Sequence, residues 1–223
     1  MNYRLEKWVW SDADFDQMGW QDARIYAVQF GKNICFDIDY IFEWVKADAG
    51  NFFSFVVAPV TLVFLNPTNI SFNVDFRIGQ QLEIEEIQRR IASSGNTEWY
   101  IETHQGDITI TAESFQQIVR RQPTLQTGQQ ILLEERGEPS FSVVPDANAT
   151  ESEEVRKLKA ADFALREEAV QIRRLRRQVE ILLEQRSVGV LEVKPYLLEK
   201  RRVEDVISQL KKELQDSNYE DLA

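Results

Sequence analysis

The chain reads as an α+β protein: an N-terminal, mainly antiparallel β-rich domain with a short helix, followed by a C-terminal antiparallel αα-hairpin or coiled coil. Three observations predict this. Short runs rich in Val, Ile, Phe and Tyr recur between turn residues through the first half of the chain. Several of these runs alternate with a period of two. Beyond residue 152 apolar residues return at seven-residue spacing, and all five tryptophans lie before residue 100.

The strand-like runs are residues 24–30, 33–44, 52–57, 60–65, 69–76, 99–103 and 107–111. In the second, Ile34, Phe36, Ile38 and Tyr40 share one face while Cys35, Asp37 and Asp39 share the other; Ile70, Phe72, Val74 and Phe76 alternate in the same way. Asp37 and Asp39 are therefore expected on the wet face of a sheet. Gly31-Lys32-Asn33 and Gln105-Gly106-Asp107 have hairpin length and turn chemistry. Residues 81–91 fit a helix or a strand. Residues 111–122 read as the short helix, with Phe115, Ile118 and Val119 on one side and Pro123 as the stop.

Residues 138–152 are small, polar and Pro-bearing, as in a linker. The expected division is an acidic β-rich domain at 1–137, the linker at 138–152, a helical hairpin at 153–216 and a tail at 217–223. In 153–187, Leu158, Leu165, Ile172 and Val179 fall seven apart, with Ala161, Leu175 and Leu182 completing an a/d stripe that Glu168 interrupts. A second helix starts near Pro195 and carries Tyr196, Val203, Ile207, Leu210 and Leu214. Folded back from a loop at Gly189, this shorter helix reaches only to about Leu165. Val155, Leu158, Ala161 and Phe163 are left as an apolar stripe beyond its end.

Charge and rare residues narrow the function. The chain of 223 residues has a net charge of −11. Residues 1–150 hold 11 basic against 21 acidic side chains, and the remainder 15 against 16, so the acidity is N-terminal. An acidic domain is a poor polyanion binder, so no nucleic-acid partner is expected. One cysteine and one histidine leave no disulfide and no Cys- or His-built metal site. Nothing ties Cys35 or His104 to an activating neighbour, so they are expected to be inert and a surface turn residue. Asp12-Ala-Asp-Phe-Asp16 opens like a Ca²⁺ loop but has Gln17 and Ala23 where that loop needs Gly and Glu; it reads as an acidic, capped segment. Arg173-Arg-Leu-Arg-Arg177 has glutamates within helical reach and reads as a solvated ion-pair face.

Four stretches carry a family resemblance: Trp10-Ser-Asp-Ala-Asp-Phe-Asp-Gln-Met-Gly-Trp-Gln-Asp-Ala-Arg-Ile-Tyr26, Asp37-Ile-Asp-Tyr-Ile-Phe-Glu-Trp44, Phe53-Ser-Phe with Ala58-Pro-Val-Thr-Leu-Val-Phe64, and Leu133-Glu-Glu-Arg-Gly137. With them, residues 8–141 resemble an uncharacterised bacterial family similar to the small β-rich immunity proteins of polymorphic toxin systems. That family's pattern has His where this chain has Gln21, which counts against proton transfer at Trp20-Gln21-Asp22. Gly189-Val-Leu, Tyr196 and Lys200 make residues 182–207 resemble the SHOCT type of C-terminal oligomerisation module. The first resemblance implies a fold more than an activity, and the second favours assembly.

The resulting expectation is a bacterial, cytoplasmic, non-enzymatic protein-binding module, immunity-like, without cofactor or membrane contact, which homo-oligomerises or docks through its C-terminal helices. Asp37, Asp39, Leu158, Ala161 and Leu165 are the expected partner-binding residues. The alternatives are a metal-assisted hydrolase using Asp37 and Asp39, or a purely structural assembly subunit.

Overall fold

A computed structural model describes residues 3–46, 52–75, 77, 80–91, 96–217 and 219. The chain divides into two compact units: residues 1–45 with 54–152, and residues 46–53 with 153–223.

The first unit is an antiparallel sheet of ten strands: β1 (Val9–Ser11), β2 (Ala23–Phe30), β3 (Ile34–Val45), β4 (Ser54–Leu65), β5 (Asn69–Val74), β6 (Leu82–Ile91), β7 (Thr97–Thr103), β8 (Gly106–Ala112), β9 (Ser114–Val119) and β10 (Thr124–Gln126). Their order is β1-β9-β4-β3-β2-β6-β7-β8-β5, with β10 also paired to β4. The two expected hairpins are present, β2–β3 around Lys32 and β7–β8 around His104-Gln105. Of the ambiguous residues 81–91, Leu82–Ile91 form strand β6.

The sheet curls so that its two halves share one core. Ile34, Phe36, Ile38 and Tyr40 of β3 and Ala58, Val60, Leu62 and Phe64 of β4 are buried with Trp99, Ile101, Ile108 and Ile110 of β7 and β8. The Trp99 ring lies 4.9 Å from that of Phe115 and 6.0 Å from that of Phe64. Side chains of this size contribute most of the apolar area that drives folding, at about 25 cal/mol per Å² removed from water.

Two sequence expectations change. Residues 111–122 do not form a helix; Ser114–Val119 is strand β9, paired with β4 and β1. Phe115 and Val119 face the core, whereas Ile118 packs with Cys35 and Val63 on the opposite face. A strand buried on both faces has apolar residues three apart, which imitates a helix. The runs 52–57 and 60–65 are one strand. Pro59 sits where the neighbour of β4 changes from β10 to β9, at a gap in the pairing, so its missing N–H removes no ladder bond on that side.

The segment read as a linker is bonded to the first unit. After β10 the chain passes through Ile131, the one-turn helix α1 (Leu133–Arg136) and residues 138–146 as a strap. Ile131 packs with Ile41, Phe55 and Val57, and Phe141 packs against Cys35, Val63 and Ile118. Thr61 Oγ1 donates to the Ser142 carbonyl at 2.8 Å, and the Asp146 N–H donates to the Arg120 carbonyl at 2.8 Å.

The second unit contains α2 (Glu153–Ser187), of 35 residues, and α3 (Val193–Glu213), of 21. Gly189, at φ +78°, turns the chain out of α2, and the Val190 N–H closes the end on the Gln185 carbonyl at 2.9 Å. The helices meet through Leu165, Ala169 and Ile172 against Ile207, Leu210 and Leu214. Beyond α3, the Tyr219 hydroxyl donates to Asp162 of α2 at 3.1 Å. Among the described residues no helix is long and apolar enough to cross a membrane.

Candidate functional site

Asp37 and Asp39 leave β3 on the face that alternation assigns them, but that face is dry: both are 0% exposed. The strap covers them and delivers their partners. Arg120, just beyond β9, pairs with Asp37 and with the Ser140 carbonyl. Arg136, the last residue of α1, donates from Nη2 to Asp37 at 2.6 Å and from Nε to Asp39 at 3.0 Å. The remaining oxygens are also occupied. Asp37 Oδ2 accepts the Ser140 N–H at 3.0 Å, and Asp39 Oδ2 accepts the Ile131 N–H at 3.0 Å and the Tyr26 hydroxyl at 2.9 Å.

Tyr26 is the extra residue of a bulge in β2, between Ile25 and Ala27, and the bulge brings its side chain to the Asp39 side. Its ring lies under the Arg136 guanidinium at 3.5 Å and near that of Arg24 at 4.5 Å. Burial raises the Asp39 carboxyl above its ordinary value despite Arg136, the Ile131 N–H and the Tyr26 hydroxyl, which work the other way. Burial and the Asp39 charge push the Tyr26 hydroxyl up. Burial also lowers Arg120 against the opposing pull of Asp37, whereas for Arg136 bonds to Asp37 and the charge of Asp39 outweigh burial and leave it raised.

The quartet is thus two carboxylates neutralised by two guanidiniums, with every carboxylate oxygen accepting a protein hydrogen bond. That arrangement locks the strap to the sheet. It also corrects the wet-face expectation: a partner does not touch Asp37 or Asp39 while the strap is in place, and neither carboxylate has an oxygen free of protein donors for a metal ion. Among the described residues no three metal-ligating side chains gather. A groove of about 250 Å³ opens beside the quartet, bordered by Arg120, Arg121, Arg136, Glu138, Ser140 and Asp146.

The other sequence candidates serve local structure. Asp14 accepts the Ser11 N–H at 2.9 Å and pairs with Lys7, and these contacts hold its carboxyl below the ordinary range. Asp12 accepts the Phe115 N–H at 3.0 Å. Trp20 is buried and donates to Gln117 at 2.9 Å, and Asp22 accepts from Gln129 at 2.8 Å, so the Trp20-Gln21-Asp22 triplet anchors the approach to β2. Cys35 is buried and its thiol is pushed up by burial. His104 sits in the β7–β8 turn, 3.6 Å from Glu83.

Of the helical residues expected to form an exposed stripe, Val155 is buried, Leu158 is 40% exposed and Ala161 is exposed, whereas Leu165 is half-buried in the seam with α3 and is not free to bind elsewhere. Sequence reading missed the apolar residues around the hairpin turn: Val188 and Val190 are 73% and 75% exposed, and Val193, Leu197 and Leu198 are exposed beside them. Those residues fall outside the heptad stripe, and that could have flagged them. In the basic cluster, Arg177 pairs with Glu180 at 2.8 Å, while Arg173 lies 4.1 Å from the Phe52 ring within the same unit.

Comparison with family models, with characterised proteins and with solved structures found no match.

Proposed function

We propose that the chain is a non-enzymatic, cytoplasmic protein-binding module of the immunity-like kind, whose helical hairpin docks it to a partner or to a second copy. One observation carries this reading: Val188, Val190, Val193, Leu197 and Leu198 stand exposed within eleven residues at one end of the hairpin. Apolar residues concentrated in this way are characteristic of contact surfaces, because leaving them in water forfeits roughly 1.5–3 kcal/mol per large side chain. The near-neutral charge of residues 151–223 opposes no like-charged approach between copies. Chemistry has weaker support, since the paired aspartates are committed to arginines.

Sedimentation velocity of the wild type and of Leu197→Asp with Leu198→Asp tests the reading. A concentration-dependent dimer or larger species that the double variant reduces to monomer supports it for self-association. A monomeric wild type that captures no host protein in an affinity experiment, with the variant behaving identically, overturns it.

A further inference from the structure

We propose that the outer edge of β5 pairs with β5 of a second copy, antiparallel and centred on Phe72, so that two sheets continue into one. β5 closes one end of the strand order and pairs only with β8, from Asn69 opposite Thr111 to Val74 opposite Gly106. The Asp75 N–H donates to the Gln105 carbonyl in the same register, so Asn69, Ser71 and Asn73, at two-residue steps from it, aim their N–H and C=O groups at β8. The intervening Ile70, Phe72 and Val74 aim theirs outward, where among the described residues no strand meets them. The side chains of these three stand opposite Ile110, Ile108 and Gly106 on the core face, yet Phe72 is 45% exposed. Its ring meets that of Phe30, 62% exposed, at 6.1 Å. Unused hydrogen-bonding groups and unused apolar surface thus lie along one edge.

The other free edges of the sheet carry features that prevent such pairing, and β5 carries none. β1 and β10 are three residues long, and β6 beyond Ile84, where its pairing with β2 ends, bears Glu85, Glu86, Arg89 and Arg90. Short strands and charged side chains of this kind keep edges apart. β5 has six residues, and no Lys, Arg, Asp, Glu or Pro occurs from Thr68 to Val74. The occupant follows from this pattern. Outward N–H and C=O groups call for an extended strand, and a foreign strand would be selected by charges along the edge, which β5 does not offer. A second copy is complementary at every position. Two-fold pairing about Phe72 sets Ile70 opposite Val74, Phe72 opposite Phe72 and Ser71 opposite Asn73, with about six hydrogen bonds between the strands. Apolar side chains then meet on one face and uncharged polar ones on the other. The acidity of residues 1–150 opposes approach, but salt at about 0.15 M screens it beyond about 8 Å. One strand pair is smaller than the roughly 1,200–2,000 Å² of a standard interface, so the pairing belongs to high protein concentration. This inference goes beyond docking through the hairpin, because β5 belongs to the first unit.

The test uses the full chain carrying Leu197→Asp and Leu198→Asp, so that association through the hairpin does not contribute, in about 0.15 M sodium chloride. Sedimentation from about 10 µM to about 1 mM should show monomer passing into dimer. Adding Phe72→Lys or Phe72→Glu places like charges face to face on the two-fold axis, and each should weaken the dimer at least about tenfold. An equimolar mixture of the two variants should restore it as a heterodimer. Amide hydrogen exchange on the protein with Phe72 unchanged is the second measurement and needs no substitution at the edge. The N–H groups of Ile70, Phe72 and Val74 should gain protection as concentration rises, while those of Ser71 and Asn73, already bonded to β8, stay constant. The proposal is overturned if the protein stays monomeric up to about 1 mM, or if a dimer forms without added protection at Ile70, Phe72 and Val74. It is equally overturned if a folded charge variant dimerises as tightly as its parent, or if the mixture of folded variants associates no better than either alone.

Discussion

Arg136 Nη2 lies 2.6 Å from the Asp37 carboxylate across 99 residues of sequence, and its Nε reaches Asp39 from the same guanidinium. The fork geometry of arginine makes this double capture available where a lysine ammonium could not repeat it. The contact holds the strap on the outer face of β3 and β4.

Arg136→Met should therefore be costly, because it leaves a buried carboxylate without its counter-charge. Removing one partner of a buried pair is worth about 3–5 kcal/mol. Adding Asp39→Asn removes the orphaned charge while its amide oxygen still accepts the Ile131 N–H and the Tyr26 hydroxyl, and should recover part of that loss. Urea unfolding of the three proteins measures both effects. Equal stability of Arg136→Met and the wild type would show that the quartet does not hold the strap.

The fold was legible where one local rule decided it. The alternation of Ile34, Phe36, Ile38 and Tyr40 correctly identified the core face of β3, and the spacing of Leu165 and Ile172 correctly identified the helical seam. Reading failed where the outcome depended on distant chain. The outer face of β3 is dry because Ile131, Arg136 and Phe141 lie over it, 90 to 106 positions away, and no local pattern in residues 34–45 records that cover. The same cover gave β9 its helix-like spacing.

A chain ending at Ser152 should unfold cooperatively, whereas one ending at Gly137 should be weakened. The shorter chain lacks the Ser140 N–H on Asp37, the Ser142 carbonyl on Thr61 and the Phe141 packing beside Cys35. One hydrogen bond to a charged group and one phenylalanine amount to roughly 3–5 kcal/mol. Cys35 supplies an independent readout, since its thiol should react with a disulfide reagent far faster once Phe141 is gone. Equal reactivity in the two chains would remove the strap from its assigned place.

Glu168 gives a pH dependence within the hairpin. Burial, the charge of Glu213 and a hydrogen bond with Glu213 raise its carboxyl above the ordinary range. The folded chain therefore holds this proton more tightly than the unfolded chain. The associated stability is complete below the ordinary glutamate pKa and is lost as pH rises through the folded value. Glu168→Gln removes that loss. At pH 7 it should be the more stable protein by a few tenths of a kcal/mol, a small gain because solvent screens the pair. Near pH 4 the advantage should vanish, and an advantage that persists there would assign the effect to packing instead of charge. Thermal melts at the two pH values read the difference.

Gly106 fixes the geometry at the β7–β8 turn more tightly than hairpin chemistry alone requires. Its φ is +131°, and a Cβ placed on it would lie 2.1 Å from the Asn73 carbonyl oxygen on β5. The obstacle is backbone within a paired strand, with Asn73 opposite Asp107 and Val74 opposite Gly106, so it cannot swing away as a side chain would. Thr103 Oγ1 further ties the Gly106 carbonyl at 2.6 Å. Gly106→Ala must either push β5 from β8 or twist the turn, and should cost more than about 2 kcal/mol. Gly31 is the control, because a Cβ there meets only the Asn33 carbonyl at 3.7 Å, an ordinary contact, and its φ lies outside the left-handed region. Gly31→Ala should change stability by less than about 1 kcal/mol, with any gain arising from a stiffer unfolded chain. Urea midpoints for the two variants decide the matter: if they coincide, the approach of β5 to Gly106 is looser than 2.1 Å implies.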